Sequence, residues 1–218
     1  LLHELRAVKS KYEVGLLNGA IDITRKGFLR ALKFIKPGVW EYEVEAELTH
    51  EYVINRGSGH AYEPIVATGE NACVLHYISN DAQCKAGDLL LMDCGAEYAN
   101  YNADLTRTVP VSGKFTKRQK NIYNAVLRVH REAANMMRPG VVLNDLNKEV
   151  GKVMEAELLR LRLLKKSDIS KQDKDYPAYK KYFPHGTAHF LGLDVHDVGN
   201  RFDKLKPGAV LICEPGIY

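Results

Sequence analysis

Apolar residues recur at helical spacing in two stretches that share one plan. Val44, Leu48 and Tyr52 mark one face of a helix over residues 41–55, and Leu146, Val150, Val153 and Leu158 mark another over 144–164. Each is entered through the same punctuation, Lys36-Pro-Gly-Val-Trp40 in the first case and Arg138-Pro-Gly-Val-Val142 in the second. Proline and glycine there end a preceding helix. Those preceding helices are expected over 9–35 and 117–137, the second with Thr116 as its N-cap. Two continuous apolar runs, in Lys85-Ala-Gly-Asp-Leu-Leu-Leu-Met-Asp93 and Lys206-Pro-Gly-Ala-Val-Leu-Ile-Cys-Glu214, read as strands buried on both faces, each closing on a carboxylate. Between them, residues 95–102 read as a hairpin turn centred near Tyr98 and Ala99.

The plan is therefore an internal repeat of two helices followed by strands. The helical halves are offset by 102 residues, from Gly38 to Gly140, and the strands by 121, from Asp93 to Glu214. The extra length falls in the Lys/Asp-rich segment 165–181, read as a surface insertion. Such a repeat predicts one α/β (α+β) domain over residues 1–218, with helices on one face of a curved sheet. The repeated acids are expected to converge on its pseudo-symmetry axis.

Composition narrows the function classes. At 218 residues and 45% hydrophobic content the chain is long enough for a substantial core. The net charge of +4, from 31 basic and 27 acidic residues, is scattered rather than striped, so a nucleic-acid partner is not expected. Cys73, Cys84, Cys94 and Cys213 form no CxxC pair and read as buried free thiols in a reducing compartment, hence a cytoplasmic location. No run has the length of a membrane span. The start at Leu1 without methionine and the stop at Tyr218, just after an apolar run, suggest a fragment.

The chemistry lies in the acids and histidines. With the expected turn, Asp93 and Asp104 stand opposite each other on neighbouring strands, and two like charges that close call for a divalent cation. The competing reading is neutralisation by Arg107. His185, His189 and His196 fall within twelve residues of a glycine-punctuated segment, a density that more often marks a site than a core. His76, in Val74-Leu-His-Tyr77, takes the corresponding early position in the first half. A set of two Asp, one Glu and one His suits manganese, iron or cobalt better than a closed structural zinc, and bridging carboxylates hold two metals about 3.5–4 Å apart in dinuclear hydrolases. Trp40, Tyr98 and Tyr101 are read as packing residues rather than pocket walls.

Four segments in order carry a resemblance: Met92-Asp-Cys-Gly-Ala-Glu-Tyr98, Asp104-Leu-Thr-Arg-Thr108, His185-Gly-Thr-Ala-His-Phe-Leu-Gly-Leu-Asp-Val-His196-Asp197 and Glu214-Pro-Gly216. Together they resemble the signature of the pita-bread metallopeptidases, in the Xaa-Pro aminopeptidase and prolidase branch. The continuation Arg107-Thr-Val-Pro-Val-Ser-Gly-Lys-Phe-Thr116 looks more like the aminopeptidase. The resemblance implies two pseudo-symmetric helix-helix-strand halves with a curved, mainly antiparallel sheet. It implies metal ligation by Asp93, Asp104, His189 and Glu214, and two divalent ions, Mn²⁺ first, with Co²⁺, Fe²⁺ or Zn²⁺ as alternatives. Glu214 would also handle protons, His76 and His196 would contact substrate and stabilise the tetrahedral intermediate, and His185 would line the pocket. The substrate implied is a peptide with proline in second position, and homo-oligomers are common in the family.

Two parts of the family pattern are not matched: a separate N-terminal domain, and a fifth ligand, a glutamate expected by the repeat near position 225. This chain alone is accordingly expected to be weakly active or inactive. The alternatives are a prolidase restricted to dipeptides and a pita-bread binding module without metals. The filled ligand positions argue against the module, and likewise against creatine-type amidinohydrolases.

Overall fold

The computed structural model describes residues 1–173 and 176–218 and divides them into two compact units. The first comprises Leu1–Phe115 with Phe190–Val198, the second Thr116–His189 with Gly199–Tyr218. Among the described residues no helix is long and apolar enough to cross a membrane.

The first unit holds helices α1 (Leu2–Ala7), α2 (Lys11–Phe34) and α3 (Glu41–Ile54) and strands β1 (Gly59–His60), β2 (Ile65–Thr68), β3 (Leu89–Asp93), β4 (Ala96–Tyr98), β5 (Tyr101–Asn102) and β6 (Thr106–Pro110). The short α1 carries no apolar periodicity, buries nothing and was not expected. Helix α2 starts two residues later than its apolar pattern because Ser10 caps it. The Ser10 hydroxyl accepts from the Glu13 amide while the Glu13 carboxylate accepts from the Ser10 amide. Its buried face, Leu17, Ala20, Ile23, Thr24, Gly27, Phe28 and Ala31, follows the three-four spacing and packs on α3. A side chain at Gly27 would put its Cβ 2.6 Å from the Tyr52 ring, so glycine is what lets the two helices approach.

The strands form two antiparallel sheets, ordered β1-β4-β5 and β2-β3-β6. Val66, Leu90 and Met92 from the second sheet meet Val44, Leu48 and Tyr52 from α3 in one core, where all six are fully buried. Burial of a side chain of this size contributes about 1.5–3 kcal/mol.

The second unit holds α4 (Lys117–Met136), α5 (Leu143–Arg160) and α6 (Lys166–Ser170). Thr116 caps α4 as expected, in a box with Gln119. Helix α5 stops at Arg160 rather than 164, because Arg162 turns the backbone to φ 60°. The expected insertion 165–181 is partly anchored, since the ring of Tyr179 occupies the space over Gly151; its residues 174 and 175 lie outside those described.

The repeat is present bond for bond at the Pro-Gly turns. In the first unit the Gly38 amide donates to Cys84 O and the Cys84 amide to Val39 O, each at 2.8 Å; in the second the Gly140 amide donates to Leu205 O and the Leu205 amide to Val141 O, again at 2.8 Å. Trp40 bridges Gln83 as Val142 bridges Lys204. Where the repeat falls short is the expected strand 209–213. It forms no extended strand among the described residues, but a bridge position at Leu211 and two strand-like bonds, Ile212 N to His189 O and Glu214 N to Thr187 O, both 2.9 Å. Pro207 and Pro215 bracket it and bring no amide donor to extend the pairing.

Candidate functional site

In the first unit, β3 presents Asp93 at its last position. Its cross-strand partner on β6 is Thr106, not Asp104. The same register continues through Cys94 N to Leu105 O (3.2 Å) and Ala103 N to Ala96 O (3.0 Å), which sets Asp104 against Gly95. The two acids are therefore diagonal neighbours on one face, a correction to the expected direct opposition. The cause is the turn: it centres on Ala99 and Asn100, at φ 50° and 68°, one residue beyond the sequence expectation. Two positive-φ residues make the tight hairpin whose twist matches its strands.

A diagonal pair is still within reach of one group, and Tyr62 is that group. Its hydroxyl donates to Asp93 Oδ1 at 2.5 Å and lies 3.1 Å from Asp104 Oδ1. Burial, reinforced by the charges of Asp93 and Asp104, raises the Tyr62 phenol well above its ordinary value, so it stays a donor at neutral pH. Arg107 does not neutralise the pair. It stands opposite Met92, on the other face of the sheet, and its guanidinium donates to the Thr106 carbonyl at 2.7 Å.

His76 is exposed, in the segment between β2 and β3, with φ 56°. His196 is exposed too, in the 190–198 segment that belongs to the first unit. That segment is tied down beside it: Asp197, buried, accepts from Lys9 Nζ at 2.7 Å and Arg6 Nη2 at 2.5 Å. Asn102 adds its side-chain amide to Leu193 O at 2.9 Å.

In the second unit, His189 Nε2 lies 3.9 Å from Glu214 Oε1, both half-buried. The strand-like bonds between 187–189 and 212–214 bring them together, and Asn147 on α5 steadies the segment by accepting from the Thr187 amide at 2.9 Å. His185 is held separately. Its Nε2 lies 3.1 Å from the Tyr218 hydroxyl, and its ring meets Phe183 edge-on at 4.9 Å.

Within the first unit Asp93 is thus placed beside Asp104, and within the second His189 beside Glu214. Among the described residues no group of three or more His, Cys, Asp or Glu side chains lies close enough to hold a metal ion. Of the four thiols, Cys84 and Cys94 are buried as expected, Cys213 is half-buried, and Cys73 is exposed. Tyr98 and Tyr101 are packing residues: the first lies over Gly19, and the second donates to Glu13 at 2.9 Å. Trp40 is partly exposed and stacks on Tyr42. Sequence reasoning missed Tyr62 and the Lys9–Asp197 pair. Tyr62 carries no local signal, whereas Asp197 stood next to His196 in the motif itself.

The model of metallopeptidase family M24 matches residues 15–218. The chain is 40% identical to the Xaa-Pro aminopeptidase of Escherichia coli strain K12 and 40% identical to that of Haemophilus influenzae. Each match takes in 100% of this chain, and 50% and 51% of those proteins. A solved structure of zinc-substituted E. coli aminopeptidase P in complex with product superposes with a TM-score of 0.93 at 40% identity, over 100% of this chain and 50% of that one. The chain thus spans about half the length of the curated relatives it matches, and its mixed helix and antiparallel-sheet architecture is the pita-bread fold of the aminopeptidase P structures. A matched stretch of 204 of its 218 residues means that the chain belongs to metallopeptidase family M24.

Proposed function

We propose that this chain is the catalytic part of an aminopeptidase that releases the N-terminal residue from peptides with proline in second position, using two divalent ions, Mn²⁺ first. The observation that carries the reading is the Asp93–Tyr62–Asp104 arrangement: two carboxylates on one sheet face sharing one phenol hydroxyl. A single phenol proton is a weak counterweight to two negative charges, and a divalent cation suits that donor set. Asp93, Asp104, His189 and Glu214 would hold the ions. Metals so held lower the pKa of water and polarise the scissile carbonyl.

The chain's own residues supply the remainder. Glu214 takes the proton of the attacking water and passes it to the leaving proline nitrogen. His76 and His196 donate to the carbonyl oxygen as it gains charge, and both imidazoles are exposed enough to do so. His185, braced by Phe183 and Tyr218, lines the substrate pocket. The matched relatives, named Xaa-Pro aminopeptidases, favour this reading over prolidase. A cytoplasmic location is part of the proposal and is supported by cysteine usage alone, with four free thiols.

Calorimetric titration of Mn²⁺ into the chain and into the Asp93→Ala/Asp104→Ala variant tests the site. Binding that the variant abolishes is expected, and equal binding by both sinks the assignment. Cleavage of an Xaa-Pro-Yaa tripeptide by the Mn²⁺-loaded full-length protein tests the substrate class, because a prolidase leaves tripeptides intact while this chain alone is expected to be weakly active or inactive.

A further inference from the structure

The segment between β2 and β3 carries His76 on a left-handed backbone that few non-glycine residues adopt. Its φ of 56° is left-handed, and the φ of Asn80, four residues on, is 46°. Among the described residues the His76 imidazole has no hydrogen-bond partner, so its own side chain does nothing to stabilise this geometry. The constraint must come from the surroundings, and strain held in that way points towards function.

Two buried polar groups impose it. Glu41, the first residue of α3, is fully buried. Its carboxylate accepts from the Thr68 amide at 2.6 Å, the Tyr77 hydroxyl at 2.7 Å, the Ala82 amide at 2.9 Å and Asn71 Nδ2 at 3.4 Å. These donors precede and follow His76, and one of them is its immediate neighbour. Asn80 closes the segment from the other side. Its Oδ1 accepts from the Val66 amide at 2.9 Å, and its Nδ2 donates to Pro64 O at 2.9 Å and to Glu45 at 2.8 Å. A buried carboxylate is costly unless donors surround it. Here every donor found for it is a neutral group of β2 or of the segment that follows, so the carboxylate's own need for donors clamps that segment. Outside the clamp, Val74, Leu75 and Ile78 are 55%, 45% and 54% exposed. The segment thus presents His76 between apolar side chains, apart from the core.

We infer that Glu41, acting chiefly through Tyr77, is a positioning residue that holds His76 left-handed with its imidazole presented to the peptide substrate. This rests on the reading of His76 as a substrate-contacting histidine. The clamp is built into the first turn of α3, so the segment is ordered before any peptide arrives.

The test uses ¹³C-histidine-labelled chain, in which the Cα and Cβ shifts of His76 report its backbone conformation. The wild type is expected to show the left-handed signature, and Tyr77→Phe, which deletes one hydroxyl, and Glu41→Gln are expected to lose it. Tyr77→Phe keeps the test open even where Glu41→Gln fails to fold. In parallel, the Mn²⁺-loaded chain is titrated with the dipeptide Ala-Pro. Loss of one such hydrogen bond predicts about tenfold weaker binding in Tyr77→Phe, and no further loss when Tyr77→Phe is added to His76→Ala. A merely structural Tyr77 weakens binding equally in both backgrounds. An unchanged His76 signature in both anchor variants, or effects of the two substitutions that multiply, overturns the inference. If His76→Ala leaves Ala-Pro binding unchanged while the signature is lost in Tyr77→Phe, the clamp stands and the substrate role of His76 falls.

Discussion

Asp93 and Glu214 end matching runs of one repeated plan, yet the two units hold them differently. In the first unit, β3 is bonded along both edges, to β2 and to β6, so the position of Asp93 is set by two neighbours. In the second, the run that ends in Glu214 has two backbone bonds to residues 187–189, and Asn147 steadies that partner through one more. The bonds described around the two acids therefore differ, although the motifs match. Single substitutions in the first unit should accordingly act mostly on stability, and those in the second mostly on the local order of its acid.

The sharpest break is expected at Asp197. Asp197→Ala leaves the Lys9 ammonium, 1% exposed, without its counter-charge, and stripping one member from a buried pair costs about 3–5 kcal/mol. Urea denaturation should show that loss, and Lys9→Met/Asp197→Leu should recover much of it. The contrast lies in the second unit, where Glu157 accepts from Arg128 and Arg160, guanidinium groups 45% and 65% exposed. They remain solvated when Glu157 is removed, so Glu157→Ala should cost about 1 kcal/mol.

The pH dependence follows with the same sign in both. Burial pushes Asp197 up, but hydrogen bonds from Lys9, the Val198 amide and Arg6 outweigh it and hold the carboxyl below its ordinary 3.8. The Arg128 hydrogen bond likewise holds Glu157 below 4.5, against its burial. A carboxylate depressed in the folded state contributes stability that is complete above its unfolded pKa and is lost as pH falls through the folded value. Stability should therefore drop below about pH 4, and Asp197→Ala should flatten that drop more than Glu157→Ala.

Next in size is the hairpin itself. A Cβ on Gly95 would stand 1.8 Å from Ala103 O, a backbone atom with no rotamer to yield. Gly95→Ala should cost about 3 kcal/mol and displace Asp104, which lies opposite. Thermal unfolding and Mn²⁺ calorimetry of this variant should fail together. If stability falls while metal binding persists, the ladder does not govern the site. Tyr62→Phe asks the same question more gently. It removes one hydroxyl that holds both acids, and loss of an outer-shell partner weakens metal affinity about 10–100-fold. The apo protein's midpoint should move little.

How much of this was legible follows the range of each interaction. Helices α2 to α5 could be read because their apolar spacing, the Pro-Gly turns and the Thr116 cap act within a few residues. The Ser10 cap, equally local, was passed over, and the start of α2 was set two residues early. β3 was legible from an unbroken apolar run. The hairpin centre was displaced by one residue because Ala99, which takes φ 50°, offers no turn signal, and only Asn100 hinted at it. That one residue separates a direct Asp93–Asp104 pair from a diagonal one. Tyr62 reaches partners 31 and 42 positions away and Lys9 one 188 away, and no local pattern encodes such pairs. The run 209–213 had the composition of a strand, and its bridge at Leu211 and its bonds at Ile212 and Glu214 follow that composition.

The mildest prediction bears on the second unit alone. Gly186 sits between His185 and Thr187, and a Cβ there would meet nothing nearer than Asn147 at 3.9 Å. Gly186→Ala should change stability by no more than about 0.5 kcal/mol, whereas the chemically identical change at Gly95 should be severe. Asn147→Ala removes the acceptor of the Thr187 amide, worth about 1 kcal/mol, and should weaken metal binding more than it lowers the unfolding midpoint. The reason is the scarcity of bonds: where two ladder bonds and one side-chain bond hold His189 against Glu214, losing one of three loosens the pair while the helices above keep their own packing. If Asn147→Ala leaves Mn²⁺ affinity unchanged, the two strand-like bonds suffice, and the second unit is as firmly ordered at its acid as the first.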